Sequence, residues 1–261
     1  MIRRRDDPTL IITQTAHGWL AGQFARQWGN IDFQFPALAQ DVIFAATNHD
    51  NGWLAWEQLP QVNELGQPID FLEMPVSTHV DLWQQGIAGM ALQNRYAALL
   101  VSMHSRFLIE SRLRNNEQDT EADRRRLEAF STEQQAWEEE TNTCLRKRLY
   151  FAPAFEAHRL EASLRLLQVF DWLSLLLCMQ RVSESVVVDI PGATPNRRVE
   201  IRLRPTGSNA LTITPWPFGC SAFEVVVQAH RLPQATYEND IAFQTAWQSA
   251  KLELLVFEVA Q

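Results

Sequence analysis

The sequence predicts an α+β protein, in which a helical domain at residues 1–182 precedes an antiparallel β subdomain at residues 183–261. Up to about residue 181, apolar residues recur every three or four positions, which is the period of a helix with one buried face. From residue 185 onwards apolar and polar residues alternate, and Pro- and Gly-containing turn signals separate the runs. These runs predict about five strands, at 185–190, 198–203, 211–214, 223–228 and 252–259.

Composition narrows the class of protein. The chain has 261 residues, 46% of them apolar, and nine tryptophans, which is ample for a packed core. A formal net charge of −8 argues against binding to a nucleic-acid backbone, which requires clustered lysine and arginine. A small phosphorylated substrate stays compatible with this charge, because a metal ion can supply the local positive charge.

Cysteine usage and hydropathy predict a cytoplasmic protein that does not bind membranes. The three cysteines are far apart and form no CxxC pair, which argues against a zinc knuckle or a disulfide framework. No apolar run has the length of a signal peptide or a bilayer span. We expect the β subdomain to pack on the helices or to pair with a second copy, which leaves a homodimer open.

The first part of the chain places two histidines at helical positions. A short apolar run at 10–13 is either a strand or an entry segment, and Thr13 or Thr15 can cap the helix that follows. In that helix, Gln14 to Trp28, His17 lies on the same face as the apolar residues. It is either a ligand or a neutral core histidine bonded to a carbonyl. A second helix, from about residue 38, delivers His49.

An adjacent His49-Asp50 pair ends this second helix just before a glycine, where helices commonly stop. Imidazole beside carboxylate suits zinc, manganese or iron(II) better than metals that prefer thiolates. Trp53 and Trp56 follow and either wall a pocket or belong to the core. The proline-rich loop at 60–75 carries Asp70 and Glu73, which can reach the pair as acid or base, or act as caps and surface carboxylates.

Three further candidates lie on later helices. His79 is expected in the first turn of one helix, and His104 is surrounded by apolar residues in the next, Tyr96 to Leu108. A buried polar group without a partner costs about 1–3 kcal/mol, and a metal is one such partner. Asp171 interrupts the apolar stripe of the longest helix, His158 to Arg181, where an ionised carboxylate needs a partner or a metal.

The stretch at about 110–150 is rich in charges of both signs and predicts a pair of exposed helices inserted into the helical domain. Thr120-x-x-Asp123 and Ser131-x-x-Gln134 are typical of capping boxes at helix starts. Arg106, just before this stretch, is either a substrate contact or a surface residue.

The candidates follow one another in the order His17, His49-Asp50, His79, His104, Asp171. That order resembles the HD-domain metalloprotein superfamily, which includes cyclic-nucleotide phosphodiesterases, nucleotidases and the inositol-oxygenase type of di-iron enzyme. The first three intervals fit its two-metal members, and an insert would explain the longer last one. Four stretches are, more closely, similar to the bacterial DUF3891 family: Gln14-Thr15-Ala16-His17-Gly18, His49-Asp50-Asn51-Gly52-Trp53, Asp70-Phe71-Leu72-Glu73-Met74-Pro75 and Val101-Ser102-Met103-His104. The resemblance covers about residues 8–182.

The resemblance implies an HD-like helical domain that binds one or two divalent ions of iron, manganese, magnesium or zinc. In the two-metal arrangement His17, His49, Asp50 and Asp171 hold the first ion. Asp50 bridges, and His79 and His104 complete the second site. Asp50, His79 and His104 would then be the catalytic residues. Two ions about 3.5–4 Å apart can share a hydroxide and clamp a phosphoryl group.

Three functions follow from this ligand set. The first is hydrolysis of a phosphoester of a small molecule or nucleotide by a metal-bound hydroxide. The second is a non-haem di-iron oxygenase on the same scaffold, and the third is a metal-stabilised binding or sensor protein without turnover. One departure bears on the choice: many HD enzymes have lysine where this chain has Trp53. Trp53, Trp56 and Arg106 are the expected lining of the substrate pocket.

Overall fold

The computed structural model describes residues 1–35, 37–116, 118–156, 158–180, 183–194, 197–207 and 209–261. Within these ranges the chain forms helices and a seven-stranded sheet, which confirms the mixed α+β class. The helices are α1 Gln14–Gln27, α2 Ala39–Asn48, α3 Leu54–Gln58, α4 Val76–Ala91, α5 Arg95–Asn115, α6 Glu121–Arg146, α7 Arg159–Cys178 and α8 Asp240–Gln248. The strands are β1 Ile2–Arg3, β2 Leu10–Ile12, β3 Ser185–Pro191, β4 Arg198–Gly207, β5 Ala210–Thr214, β6 Ala222–Arg231 and β7 Lys251–Ala260.

The sheet differs from the predicted antiparallel subdomain in two ways, although strands lie at all five predicted positions. The strand order is β1-β2-β6-β7-β5-β4-β3, so the N-terminal segment contributes two strands beside β6. The pairing of β5 with β7 is parallel. Strand β7 lies between β5 and β6, which run in opposite directions. It is therefore parallel to β5 and antiparallel to β6. The boundary residue 182 lies outside the described residues, and the division into two domains stays a prediction.

A close crossing of α1 and α2 brings the first two histidine-bearing segments together. A Cβ atom on Gly22 would lie 2.1 Å from the Thr47 hydroxyl oxygen, and one on Gly18 would lie 2.9 Å from the Thr47 carbonyl oxygen. Side chains at these positions would push the helices apart. Of the two predicted caps, Thr13 and Thr15, it is Thr13 that caps α1, since its side chain accepts a hydrogen bond from the amide of Ala16.

The charged stretch is not a pair of exposed helices. Residues 110–115 are the end of α5, and α6 is one continuous helix that buries apolar residues such as Phe130. The Thr120/Asp123 capping box is confirmed at the start of α6. The box predicted at Ser131 is wrong, because that residue lies inside α6, where the apolar helical spacing continues.

Two other helix predictions are corrected or limited by the structure. Helix α8 was not predicted; Asn239 caps it, and Phe243 and Trp247, four residues apart, are buried. The helix expected from His158 to Arg181 is not the longest, because α7 has 20 residues and α6 has 26. Its predicted end at Arg181 lies outside the described residues, and α7 ends at Cys178. In the described parts of the chain no helix combines the length and apolar character needed to cross a bilayer.

Candidate metal centre

Five of the predicted donors meet between the helices. His17 comes from α1, His104 from α5 and Asp171 from α7, while His49 and Asp50 lie just beyond the end of α2. Asp50 leaves the helical conformation, with φ −105° and ψ 17°, and the chain then makes a short 3₁₀ turn. This change of direction lets two consecutive side chains face the same point, which neighbours inside a regular helix do not do.

The geometry at this point fits a metal ion. The Nε2 atoms of His17 and His49 are 3.2 Å apart. Oδ1 of Asp171 lies 3.0 Å from the first and 3.3 Å from the second, and Oδ2 of Asp50 lies 3.6 and 3.5 Å from them. Donors at about 2.0–2.2 Å from a tetrahedral ion are roughly 3.4 Å apart. His17, His49 and Asp50 offer donor atoms that all lie within 4.8 Å of one another, which matches the spacing of a first coordination sphere. Asp171 adjoins this group through both imidazoles.

Asp171 joins this group to His104. Its second oxygen, Oδ2, lies 3.3 Å from Nε2 of His104, so the carboxylate contacts three imidazoles through both oxygens. Burial by itself would raise the pKa of Asp171, but the hydrogen bonds from His104, His17 and His49 hold that pKa well below its usual range. The buried carboxylate is therefore ionised, and its charge requires positive partners.

Two hydrogen bonds outside the cluster orient the imidazoles. Ser174 donates its hydroxyl to the carbonyl of Asp171 and lies 2.6 Å from Nδ1 of His17, which donates to it. Nδ1 of His49 donates to the carbonyl of Ala46 at 2.9 Å. When the rings are neutral and keep these protons on Nδ1, their Nε2 lone pairs face the centre, which is the arrangement that metal-binding histidines use. Ser174 was missed by sequence reasoning, although its spacing of three from Asp171 was a usable signal.

The electrostatics of the cluster favour a cation. Burial of the ring lowers the pKa of His49, but Asp50 and Asp171 outweigh burial and raise that pKa to about 9. The carboxylates thus hold a proton on His49 at neutral pH when no other cation is bound. A divalent ion would take the place of that proton, because ligand histidines bind metals in their neutral form.

His79 is placed beside the cluster and not within it. Its ring stacks on Trp83 with centroids 3.9 Å apart and meets Trp53 edge-on at 5.1 Å. Burial lowers the pKa of His79 to about 3, and the positive charge of Arg112 adds to this, so the ring is neutral. His104 turns towards Asp171, and its Nδ1 is buried without a hydrogen-bond partner among the described atoms.

The cluster opens into a cavity of about 120 Å³ with mostly apolar walls. Trp53 lines it, whereas Trp56 contacts Trp53 edge-on with ring centroids 5.9 Å apart and is not part of the described lining. No lysine or arginine belongs to its described lining, which is Gln14, His17, His49, Asp50, Trp53, Phe71, His79, Trp83, Val101, His104, Ser105, Leu108, Asp171 and Leu175. Trp53 therefore forms a buried aromatic wall of the cavity.

Three other candidates lie away from this cavity. Arg106 pairs with Glu138 at 3.0 Å and with Glu110 at 2.5 Å, on the side of α5 that faces α6. Asp70 and Glu73 form a capping box around a 3₁₀ turn, where the Asp70 side chain accepts a hydrogen bond from the amide of Leu72. These groups are used in structural contacts, so the expectation that Arg106 lines the substrate pocket is corrected.

Gln14 and Trp83 line the cavity and were missed. The side-chain oxygen of Gln14 is buried without a hydrogen-bond partner among the described atoms, and the residue is 2% exposed. The sequence held a signal for both. Gln14 is three residues from His17 and Trp83 is four residues from His79, so each lies one helical turn from a candidate ligand. An unpaired buried acceptor is costly in a protein interior, so Gln14 is available to a bound molecule.

Comparison with known proteins identifies one family. The family model described as "Protein of unknown function (DUF3891)" matches residues 1–234, which include all six candidate ligands. No curated protein and no solved structure matches the chain. Because this match extends over most of the sequence, the chain belongs to the DUF3891 family.

Proposed function

We propose that the protein is a metal-dependent phosphohydrolase of the HD type, with an HD-like helical domain that holds one or two divalent ions of iron, manganese, magnesium or zinc. The observation that carries this proposal is the buried Asp171 carboxylate, which contacts His17, His49 and His104 at 3.0–3.3 Å. Three imidazoles with two carboxylates form a hard, oxygen- and nitrogen-donating set that suits these metals.

Each side chain has a part in this proposal. His17, His49, Asp50 and Asp171 would hold the first ion, and Ser174 keeps the His17 lone pair aimed at it. A bound divalent ion polarises a phosphoryl oxygen and lowers the pKa of water. His104, whose Nε2 lies at the outer oxygen of Asp171, would hold a second ion or donate a hydrogen bond to the phosphoryl group.

The cavity sets the conditions for the substrate. Its volume of about 120 Å³ admits a phosphoryl group, and Trp53 and Trp83 form part of its walls. Attack of water on phosphorus would release phosphate and an alcohol. Since the described lining carries no lysine or arginine, the metal alone would balance the charge of the phosphoryl group.

The same lining favours a second candidate, a non-haem di-iron oxygenase. An apolar aromatic wall without a basic side chain suits an uncharged substrate better than a phosphoester. The donor set is compatible with iron in both cases. The two functions differ in what they consume, since one releases phosphate and the other takes up oxygen.

Elemental analysis of protein purified without chelator tests the metal site. We expect one or two ions per chain in the parent, loss of metal in His49→Ala, and parental content in His230→Ala. His230 is a suitable control because its ring stacks on Trp247, in a separate apolar cluster beside α8. Equal metal content in parent and His49→Ala, or no metal in either, would refute the site.

The loaded protein is then assayed for phosphate release from simple phosphoesters and for oxygen consumption. Phosphate release that is lost in Asp50→Ala supports the phosphohydrolase. Oxygen uptake with an absorption band of oxidised iron supports the oxygenase and contradicts the phosphohydrolase. Tight metal binding with neither activity on any substrate class would leave a binding or sensor protein as the correct interpretation.

A further inference from the structure

A second, wider groove adjoins the cavity of the metal centre. It has a volume of about 350 Å³ and lies between α5, α7 and β3. His104, Leu108 and Asp171 border both spaces, so the groove leads to the outer side of the cluster. Whatever reacts at the cluster can therefore extend into this groove.

The walls of the groove are mainly apolar although they face solvent, and Arg165 and Gln168 are the polar residues of its lining away from the cluster. Phe107, Val186 and Val188 are 44%, 48% and 52% exposed, and the half-buried Trp172 of α7 lines the groove with them. These residues come from three different elements and converge beside the candidate site. An exposed apolar patch of this kind is typical of a ligand-binding groove.

Arg165 holds one wall of the groove in place. Its guanidinium donates to the carbonyls of Val188 at 2.6 Å and Asp189 at 3.3 Å, and to the side chain of Gln168 at 3.3 Å. Asp189 has φ +61°, and the register between β3 and β4 shifts around it, so this strand is irregular where Arg165 of α7 contacts it. Three donors of Arg165 are thus used on the protein itself, which makes it a positioning residue.

The volumes of the cavity and the groove indicate that a ligand occupies both. Sites for organic ligands usually measure about 300–1,000 Å³, so the inner cavity of about 120 Å³ is too small for a whole substrate. The groove reaches the usual size. We infer that the groove binds the organic part of the substrate and that this part is an uncharged alkyl or aryl group. Resting on the proposed function, this makes the substrate a phosphoester of an apolar alcohol or phenol.

Binding of phosphonates, which have the shape of the ester but are not hydrolysed, tests the groove. Octylphosphonate and methylphosphonate are titrated into the metal-loaded full chain by calorimetry. The variants are Val188→Glu, which puts a charge in the groove, and Leu254→Glu as a matched control. Leu254 is an apolar strand residue that is 70% exposed on β7, separated from β3 by two other strands.

We expect the parent and Leu254→Glu to bind octylphosphonate at least about tenfold more tightly than methylphosphonate, and Val188→Glu to lose this preference. Melting temperatures verify that both variants are folded. Equal affinity for the two phosphonates in the parent, or equal loss in both variants, would overturn the inference.

Octan-1-ol separates this inference from the proposed function, because it lacks the phosphoryl group. Binding of octanol that is weakened in Val188→Glu supports the groove whether or not phosphate is ever released. If alkyl phosphates are not hydrolysed while this binding persists, the phosphohydrolase is refuted and the apolar groove stands. If alkyl phosphates are hydrolysed at equal efficiency for methyl and octyl chains, the groove inference fails and the phosphohydrolase stands.

Discussion

Replacing Asp171 by asparagine tests the metal centre most directly, since the change removes one charge and keeps the shape. The carboxylate contacts His17 and His49 through one oxygen and His104 through the other. Loss of a residue that only orients a metal ligand lowers affinity 10–100-fold. In the proposed site Asp171 is itself a ligand, so we expect at least about a 100-fold loss, or about 2.8 kcal/mol at 1.4 kcal/mol per factor of ten.

Asp171→Asn should also lower the free energy of unfolding of the metal-free protein. Breaking a buried ion pair by removing one partner costs about 3–5 kcal/mol. His49 can release its proton once Asp171 is neutralised, which relieves part of this cost, so we expect a destabilisation at or below the lower end of that range. Denaturant unfolding of the metal-free variant measures it.

The assay is a titration with Mn²⁺, followed by calorimetry or by competition with a fluorescent chelator. Asp41→Asn is the matched control, because Asp41 is also a buried carboxylate on the helix that precedes His49. It accepts hydrogen bonds from Asn94 at 2.7 Å and Tyr150 at 2.9 Å, outside the cluster. We expect this control to lose stability and keep its metal affinity. An Asp171→Asn variant that binds Mn²⁺ within threefold of the parent would refute the metal centre.

Three other perturbations have defined outcomes. Gly52→Ala should destabilise the protein by about 1–3 kcal/mol, because its Cβ would lie 2.0 Å from a backbone carbonyl oxygen of α4. Gly89→Ala should be neutral or stabilising, because no atom lies within 4 Å of the added Cβ. Chemical denaturation of both variants measures the difference. Hydrogen bonds from Thr9 and Arg231 lower the pKa of Asp7 to about 2. The stability that Asp7 contributes is therefore present above its ordinary pKa of 3.8 and is lost as the pH falls towards 2. The melting temperature of Asp7→Asn should therefore fall less steeply than that of the parent as the pH is lowered over this range. Equal slopes of melting temperature against pH would contradict this. Removal of the metal with a chelator should lower the melting temperature, with a shift that grows with the logarithm of the free-metal concentration before removal.

Much of the helical part was predictable from local pattern. The apolar spacing around His17, His104 and Asp171 showed that each faces the interior, and the structure places all three there. The Thr13 cap and the Thr120 capping box were readable for the same reason, because a cap involves only residues within one turn.

Contacts between distant parts of the chain were not readable. The addition of β1 and β2 to the sheet and the parallel pairing of β5 with β7 depend on which edges are free once the other strands have paired. The sequence predicts a pair of exposed helices where α6 lies, because the many charged residues on its outer face obscure the few apolar residues that it buries.

In the candidate site, too, local properties could be predicted from the sequence and contacts between helices could not. Sequence by itself determined which residues face inward and in what order they occur, because periodicity and order are local properties of the chain. Only the tertiary structure decided that Asp171 contacts three imidazoles, that His79 packs between tryptophans beside the cluster, and that Arg106 pairs with Glu138. Those outcomes depend on distances of a few ångströms between helices, which are set by packing at positions such as Gly18 and Gly22 and have no local signature in sequence.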